Sequence, residues 1–154
     1  MNINIDENRA ILVQEFPGLQ LDNTFIITSP LDENYNCLAW AANRTDNQWW
    51  PTVPRLDGTY WPIENTSLEF NTLIEMYASQ GYQLCDDWNF EVKYKKIALY
   101  INDNTGYFTH AARQLRNGFW TSKLGPSFDI THETPFTIEG NHYGRVNAFM
   151  SKIF

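Results

Sequence analysis

The chain is poor in the residues that build metal sites and nucleic-acid surfaces. Its 154 residues include only two cysteines and three histidines, and these lie too far apart for the spacing of a zinc site. It has 11 lysines and arginines against 18 aspartates and glutamates, for a net charge of −7. A protein that binds the phosphate backbone of a nucleic acid needs a basic surface. We therefore expect no bound metal and no nucleic-acid partner.

Long apolar runs and a secretory leader are also missing. No segment approaches the roughly 18 consecutive apolar residues of a membrane span. The first residues, MNINIDENRA, have neither the basic region nor the apolar core of a signal peptide. The sequence predicts no membrane association and a cytoplasmic location, where both thiols stay reduced. Export by a machinery that needs no signal peptide is the alternative.

What the chain does have is a globular composition that is rich in aromatic rings. Hydrophobic residues make up 43% and aromatic residues 16% of the sequence. This length and composition fit a single domain over residues 1–154 with a sizeable core. Aromatic residues beyond those that the core needs can line a groove, because a ring gives a large contact area at little entropy cost.

Helical patterns precede strand patterns along the chain. The helices are predicted at residues 6–16, from about Asn36, and over the apolar positions between residues 70 and 77. Asn117-Gly118 predicts a two-residue hairpin turn between two of the strands. This segregated order predicts an α+β fold, with strands over residues 24–30, 95–103, 107–115, 119–125 and 143–150.

Cys37 stands out because it lies at the predicted start of a helix. A helix N-terminus or a nearby imidazole lowers the pKa of a thiol and makes it nucleophilic. His110 lies on a predicted central strand and is the candidate base. A buried cysteine is also a common small core residue, and Cys85, beside two aspartates, fits that structural role better than Cys37 does.

Several stretches together resemble an uncharacterised bacterial family of domains with no assigned activity. More distantly, the arrangement resembles papain-like and NlpC-type cysteine peptidases. In those enzymes a cysteine opens a helix, a histidine lies on a strand, and a polar residue on the next strand orients the histidine. The stretches that carry the family resemblance are ITSPLDENYNCLAWAAN, QWWP, YWP, GYQLC, KKIALY, THAARQL, WTSKLG and YGRV.

The peptidase resemblance implies a papain-like fold, in which N-terminal helices pack on a C-terminal antiparallel sheet. It also implies roles for other residues. Ser122, on the second arm of the hairpin, takes the place of the orienting residue, with Asp129 or His132 as alternatives. The glutamine that normally helps to bind the oxyanion is missing, and Asn36 or Asn34 could replace it together with the backbone N–H of Cys37.

A second group of residues could contact a substrate. The loop over residues 45–65 is broken by prolines and contains Trp49, Trp50 and Trp61, which are typical of either a substrate wall or a clamp that closes the domain. Gln114 should share a sheet face with His110, because side chains alternate along a strand, whereas Arg113 should point to the other face.

The sequence therefore predicts a thiol hydrolase or acyl transferase that acts on an amide or ester and needs no cofactor. Its substrate would be a peptide, a protein or a peptidoglycan-like molecule. The alternative is a catalytically silent domain that binds a peptide or glycan, or an interaction domain of a bacterial conflict system. A thiol within reach of an imidazole in a cleft favours the enzyme, and a buried thiol without a cleft favours the binding domain.

Overall fold

The computed structural model of the chain describes residues 3–54, 56–125 and 127–154. Its α-helices are α1 (Asp6–Glu15), α2 (Cys37–Ala41) and α3 (Phe70–Ser79), and short 3-10 helices cover Pro17–Leu21 and Pro135–Ile138. The strands are β1 (Ile26–Ser29), β2 (Gln48–Trp49), β3 (Thr59–Tyr60), β4 (Gln83–Cys85), β5 (Tyr94–Asn102), β6 (Tyr107–Gln114), β7 (Trp120–Lys123), β8 (Asp129–His132) and β9 (Arg145–Ile153).

Seven of these strands form one antiparallel sheet in the order β1-β8-β7-β6-β5-β9-β4. The first strand joins the sheet through a long-range contact, because Ile26 of β1 pairs with Thr131 of β8. The two remaining strands, β2 and β3, form a small parallel pair. The expected α+β class is confirmed: helices cover a large antiparallel sheet.

Each face of the sheet carries its own apolar cluster. Alternation along β5 divides the strand, so that Ile97 and Leu99 face one cluster while Ala98 and Tyr100 face the other. The first face is covered by α2, α3 and the loop that carries β2 and β3, and the second face is covered by α1 and the two 3-10 helices. We refer to these as the α2 face and the α1 face.

The sheet opens between β6 and β7. In the part of the chain that the structure describes, these strands pair only at Arg113 with Thr121 and at Gln114 with Trp120. Further along β6, Thr109 lies outside the regular register with β5. Helix α2 packs across both strands. Groups from the two faces can therefore approach one another at this opening.

The hairpin turn after β6 and strand β8 differ from the sequence expectation. The Asn117-Gly118 hairpin forms, but Leu115 N–H donates to Phe119, so the loop has three residues. Gly118, with a φ of +91°, takes the left-handed position at which a hairpin of this length places glycine. Strand β8 lies within residues 126–142, which the sequence suggested were irregular, because its polar ends hide a short buried strand.

Among the residues described, no helix has both the length and the apolar content to cross a lipid bilayer.

Candidate functional site

Cys37 is the first residue of α2, as the sequence predicted. The helix begins here because Asn36 caps it, and the Asn36 Oδ1 accepts a hydrogen bond from Ala39 N–H at 3.2 Å. The Cys37 side chain is nearly buried, with 6% of the residue exposed. Its sulfur contacts the backbone N–H groups of Ala111 and Leu38. The thiol therefore lies against β6 at the point where β6 leaves β7.

A cavity of about 430 Å³ lies beside Cys37. Its walls come from distant parts of the chain: α2 and the segment before it, the loop with the two neighbouring tryptophans, β6, and the segments after β7 and before β9. This size falls within the range of small-molecule sites. The residues that line it are Tyr35, Asn36, Cys37, Gln48, Trp50, Thr109, Gly125 and Tyr143.

His110 lies on the other side of the same opening. It pairs with Tyr100 of β5, which places its ring on the α1 face, whereas Cys37 belongs to the α2 face. The imidazole is fully buried and stacks on the ring of Tyr143, with 3.9 Å between ring centroids. Tyr143 also lines the cavity that contains Cys37. It is therefore the residue that joins the histidine to that cavity.

A chain of hydrogen bonds fixes the orientation of His110. His110 Nε2 lies 3.0 Å from Ser122 Oγ, which lies 2.8 Å from His132 Nε2. His132 Nδ1 lies 2.8 Å from the carbonyl oxygen of Thr134. We call His110, Ser122, His132 and Thr134 the His110 relay.

The relay also determines where the protons lie. A carbonyl oxygen only accepts, so His132 Nδ1 must carry the proton and its Nε2 must accept from Ser122 O–H. Ser122 Oγ then accepts from His110 Nε2–H. The remaining nitrogen of a neutral His110, Nδ1, bears a lone pair. This nitrogen is buried and has no hydrogen-bond partner.

Burial keeps all three titratable groups of the site neutral. It raises the pKa of the Cys37 thiol to about 11, although backbone N–H groups oppose this shift. Burial lowers the pKa of His132 to about 4, and burial together with the neighbouring His132 lowers the pKa of His110 well below its usual value. The resting site therefore contains a neutral thiol and two neutral imidazoles, and not the preformed ion pair of papain-type enzymes.

The backbone next to His110 lies beside Cys37 in space, but the side chains of Cys37 and His110 are not hydrogen-bonded to each other. The sulfur contacts the N–H of Ala111, the residue that follows His110. The structure brings the predicted nucleophile and base to one opening, and the pairing of their side chains stays a prediction.

Ser122 and Asp129, the two candidates for orienting His110, have different roles. Ser122 contacts the imidazole directly. Asp129 does not: its carboxylate accepts from Tyr35 O–H at 2.5 Å and from Ser29 O–H, and lies 4.0 Å from the Lys123 ammonium group. Asp129 points to the α2 face and holds Tyr35, a wall of the cavity, in place.

Asn36 is a structural residue more than an oxyanion donor. Besides capping α2, its Oδ1 accepts from Trp49 N–H at 3.0 Å, and its Nδ2 donates to Trp49 C=O at 2.8 Å. The side chain that the sequence suggested for the oxyanion therefore ties β2 to the start of α2. Of the other oxyanion donors proposed from the sequence, Asn34 does not line the cavity, and the role of the Cys37 backbone N–H stays a prediction.

Replacing Asn36 with alanine should lower the free energy of unfolding by about 2 kcal/mol. The change removes a helix cap and both hydrogen bonds to Trp49. Urea denaturation would measure the loss. Asn36→Asp retains the acceptor and should lose about half as much, and Asn104→Ala, in an exposed turn, is the control. Equal stability of Asn36→Ala and wild type would contradict this role.

The aromatic loop divides between core and cavity. Trp50 lines the cavity with Cys37, as expected for a substrate wall. Trp49 and Trp61 are buried in the cluster on the α2 face, with 2% and 4% of each residue exposed, so these two pack the core and do not line the cavity.

Gln114 lies outside the cavity. It shares the α1-face alternation with His110, as predicted, but its Nε2 donates to the carbonyl groups of Trp88 and Gly118. Gln114 therefore braces the hairpin, and the substrate contact suggested for it stays a prediction.

Several cavity residues escaped the sequence analysis. Tyr35, Gln48, Thr109, Gly125 and Tyr143 lie in quoted motifs or beside them, but they carry no periodic signal and meet only in the folded chain. In the described ranges, three or more histidine, cysteine or acidic side chains nowhere gather at a possible metal site.

A family model described as Domain of unknown function (DUF7689) matches residues 26–151. The chain belongs to this family. The matched span includes the complete Cys37 cavity and the His110 relay, so both lie within the family domain. No curated protein and no solved structure matches the chain. Membership in a family without an assigned activity agrees with the sequence expectation.

Proposed function

We propose that the chain is a papain-like thiol hydrolase or acyl transferase, with Cys37 as nucleophile and His110 as general base. The observation that supports this most directly is the His110 relay, which leaves Nδ1 as an unpartnered lone pair beside the segment that contacts the thiol. A buried acceptor without a partner is costly in a protein core. Such a group is suited to accept a proton.

The proposed reaction has two steps. First, the Cys37 proton moves to His110 Nδ1 while the sulfur attacks a substrate carbonyl carbon, which forms a tetrahedral intermediate. The backbone N–H of Cys37 would donate to its oxyanion. The intermediate then collapses to a thioester, and His110 returns the proton to the departing amine or alcohol. In the second step, water or an acceptor amine gives up a proton to His110 and attacks the thioester carbonyl. The carbon–sulfur bond breaks, and His110 passes this proton to the departing sulfur, which restores the thiol and the neutral imidazole.

The protonation states of the site define what substrate binding must accomplish. A neutral thiol and a neutral imidazole require proton transfer at the moment of attack, as in serine hydrolases. Ser122 supports this transfer because it continues to accept from His110 Nε2–H when the ring becomes positive. The thiol and Nδ1 are not hydrogen-bonded at rest and belong to different faces of the sheet, so substrate binding must bring them together at the opening between β6 and β7. Catalytic hydrogen bonds are often long or poorly aligned in free enzymes and tighten only in the complex.

Acylation by a simple activated ester tests this proposal. We expect p-nitrophenyl acetate to acetylate Cys37, as read by mass spectrometry, and His110→Ala to slow this step at least about 100-fold. Cys37→Ala should abolish this acetylation, and the variant that carries both Cys37→Ala and His110→Ala should be as inactive as Cys37→Ala alone. Cys85→Ala and His142→Gln are matched controls. A His110→Ala rate equal to the wild-type rate would overturn the proposal.

One observation favours a binding domain on the same fold. Burial raises the pKa of the Cys37 thiol to about 11, which opposes nucleophilic chemistry. The cavity, with Trp50 and Tyr143 in its walls, could then hold a peptide or glycan without reacting with it. This alternative predicts that no ester or amide acylates Cys37, while ligands of the cavity bind Cys37→Ala as tightly as wild type.

A further inference from the structure

A second cavity of about 430 Å³ lies at the other end of α2 from Cys37. Helix α2 contributes Ala41, the last strand of the chain leads into Phe154, and β6 contributes Arg113. Four of the basic residues of this acidic chain line it: Lys95, Lys96, Arg113 and Arg116. None of its lining residues is acidic.

In the part of the chain that the structure describes, three of these cations form no salt bridge, although Arg113 feels the more distant charge of Asp129. Lys96 is neutralised by Asp87 at 3.0 Å and Glu91 at 2.7 Å. By contrast, within the described ranges no carboxylate lies within 4.0 Å of Lys95, Arg113 or Arg116. Gathering like charges around one cavity is unfavourable, and an anion between them would relieve the repulsion.

Arg113 is held in place for such a role. Its Nε donates to the carbonyl oxygen of Trp40 at 2.9 Å, and its guanidinium lies 4.6 Å from the centre of the Trp40 ring. These contacts fix the plane of the guanidinium group. Burial lowers the pKa of Arg113, but arginine remains charged at neutral pH. A fixed guanidinium group can bind two oxygens of a carboxylate or phosphate at once.

Apolar and aromatic groups complete the cavity. Arg116 and Lys95 lie over the ring of Phe154, at 4.5 Å and 5.4 Å from its centre. Tyr82 and Leu115 add further apolar surface. Charged groups that converge on a cavity with apolar walls are typical of a site for small organic ligands.

We propose that this cavity, bounded by Arg113, Arg116, Lys95, Tyr82 and Phe154, binds a small organic anion. The carboxylate or phosphate ester group of this ligand contacts the three cations. The apolar or ring portion of the ligand packs against the side chains of Tyr82 and Phe154. The site is separate from Cys37 and does not depend on the proposed hydrolase activity.

Calorimetric titration of the whole chain with three probes of similar shape tests the proposal. Benzoate and phenyl phosphate carry the two anionic groups, and benzyl alcohol is the neutral analogue. We expect at least one anion to bind at least about tenfold more tightly than the alcohol. Raising the NaCl concentration from about 0.05 M to about 0.5 M should weaken the binding of the anion. The better of the two anions identifies the ligand group.

Substitutions then locate the site. Two substitutions should each lower the affinity for the anion about tenfold. Arg116→Gln removes a charge at an exposed position, and Arg113→Lys keeps the charge but loses the planar guanidinium group. Arg145 is a cation outside the cavity that pairs with Asp103. Arg145→Gln should leave the affinity for the anion unchanged, as should Cys37→Ala. The proposal is wrong if neither anion binds, if benzyl alcohol binds equally well, or if both cavity variants retain wild-type affinity.

Discussion

Acidification from pH 7 to about pH 4 is expected to lower the free energy of unfolding by at least about 3 kcal/mol. One contribution comes from His132, whose pKa in the folded chain is about 4 because it is fully buried. In the unfolded chain this histidine titrates near its ordinary value of about 6.5. The difference of roughly 2.5 pKa units corresponds to about 3 kcal/mol.

The sign and the pH window follow from the direction of the shift. Below about pH 6.5 the His132 imidazole binds a proton in the unfolded state but stays neutral in the folded state, so protonation favours unfolding. The stabilisation is complete above that pH and is lost as the pH falls towards 4. His110, whose pKa is also lowered by burial, adds to the loss in the same direction. The exposed carboxylates with lowered pKa values, Asp46, Asp87 and Asp103, act at lower pH.

Urea denaturation at pH 7, 6, 5 and 4 would measure this effect. His132→Gln should be less stable at pH 7 but should lose less stability on acidification than wild type does. The same substitution at His142, an exposed position, is the matched control. A flat stability profile for wild type between pH 6.5 and 4 would show that the two buried imidazoles ionise freely in the folded chain.

Replacing Ser122 with alanine is expected to cost about 3 kcal/mol of stability and to loosen His110. The hydroxyl group serves two buried imidazoles, and its removal leaves His110 Nε2–H without an acceptor and His132 Nε2 without a donor. Each unsatisfied buried group costs about 1–3 kcal/mol. Since the serine no longer selects the tautomer, the Nδ1–H form of His110 should become populated.

Two measurements check the Ser122 prediction. Urea denaturation gives the loss of stability, with Ser79→Ala on the exposed side of α3 as a control expected to change by less than about 0.5 kcal/mol. Nitrogen-15 NMR of the imidazole rings reports the tautomer of His110 in both proteins. A Ser122→Ala protein with wild-type stability and an unchanged tautomer would mean that the relay does not hold the ring.

Local signals explain why parts of this site were predictable. Asn36 is a strong helix cap directly before Cys37, so the placement of the thiol depended only on neighbouring residues. The approach of His110 and Ser122 was also accessible, because the Asn117-Gly118 turn folds their two strands together. The three-residue loop did not disturb this, since both side chains still project from the same face of the hairpin.

Long-range contacts account for what the sequence did not reveal. Trp49 and Trp61 lie in a loop without periodicity, so their burial depends on packing against α3 and β6, which no local pattern encodes. Tyr143, just before β9, reaches His110 only because β9 returns to pair with β5, the neighbour of β6. Asp129 seemed available as an orienting residue because its distant partners, Tyr35 and Ser29, could not be inferred from its neighbours.

The pairing of β1 with β8 has a consequence for the order of events during synthesis. Ser29 and Asp129 are 100 residues apart in the chain, so the first strand has no partner until most of the polypeptide has been made. The same delay applies to Cys37, because the wall of its cavity is completed by Tyr143. Its thiol therefore remains uncovered on the nascent chain, where oxidants and chaperones can reach it before the sheet closes.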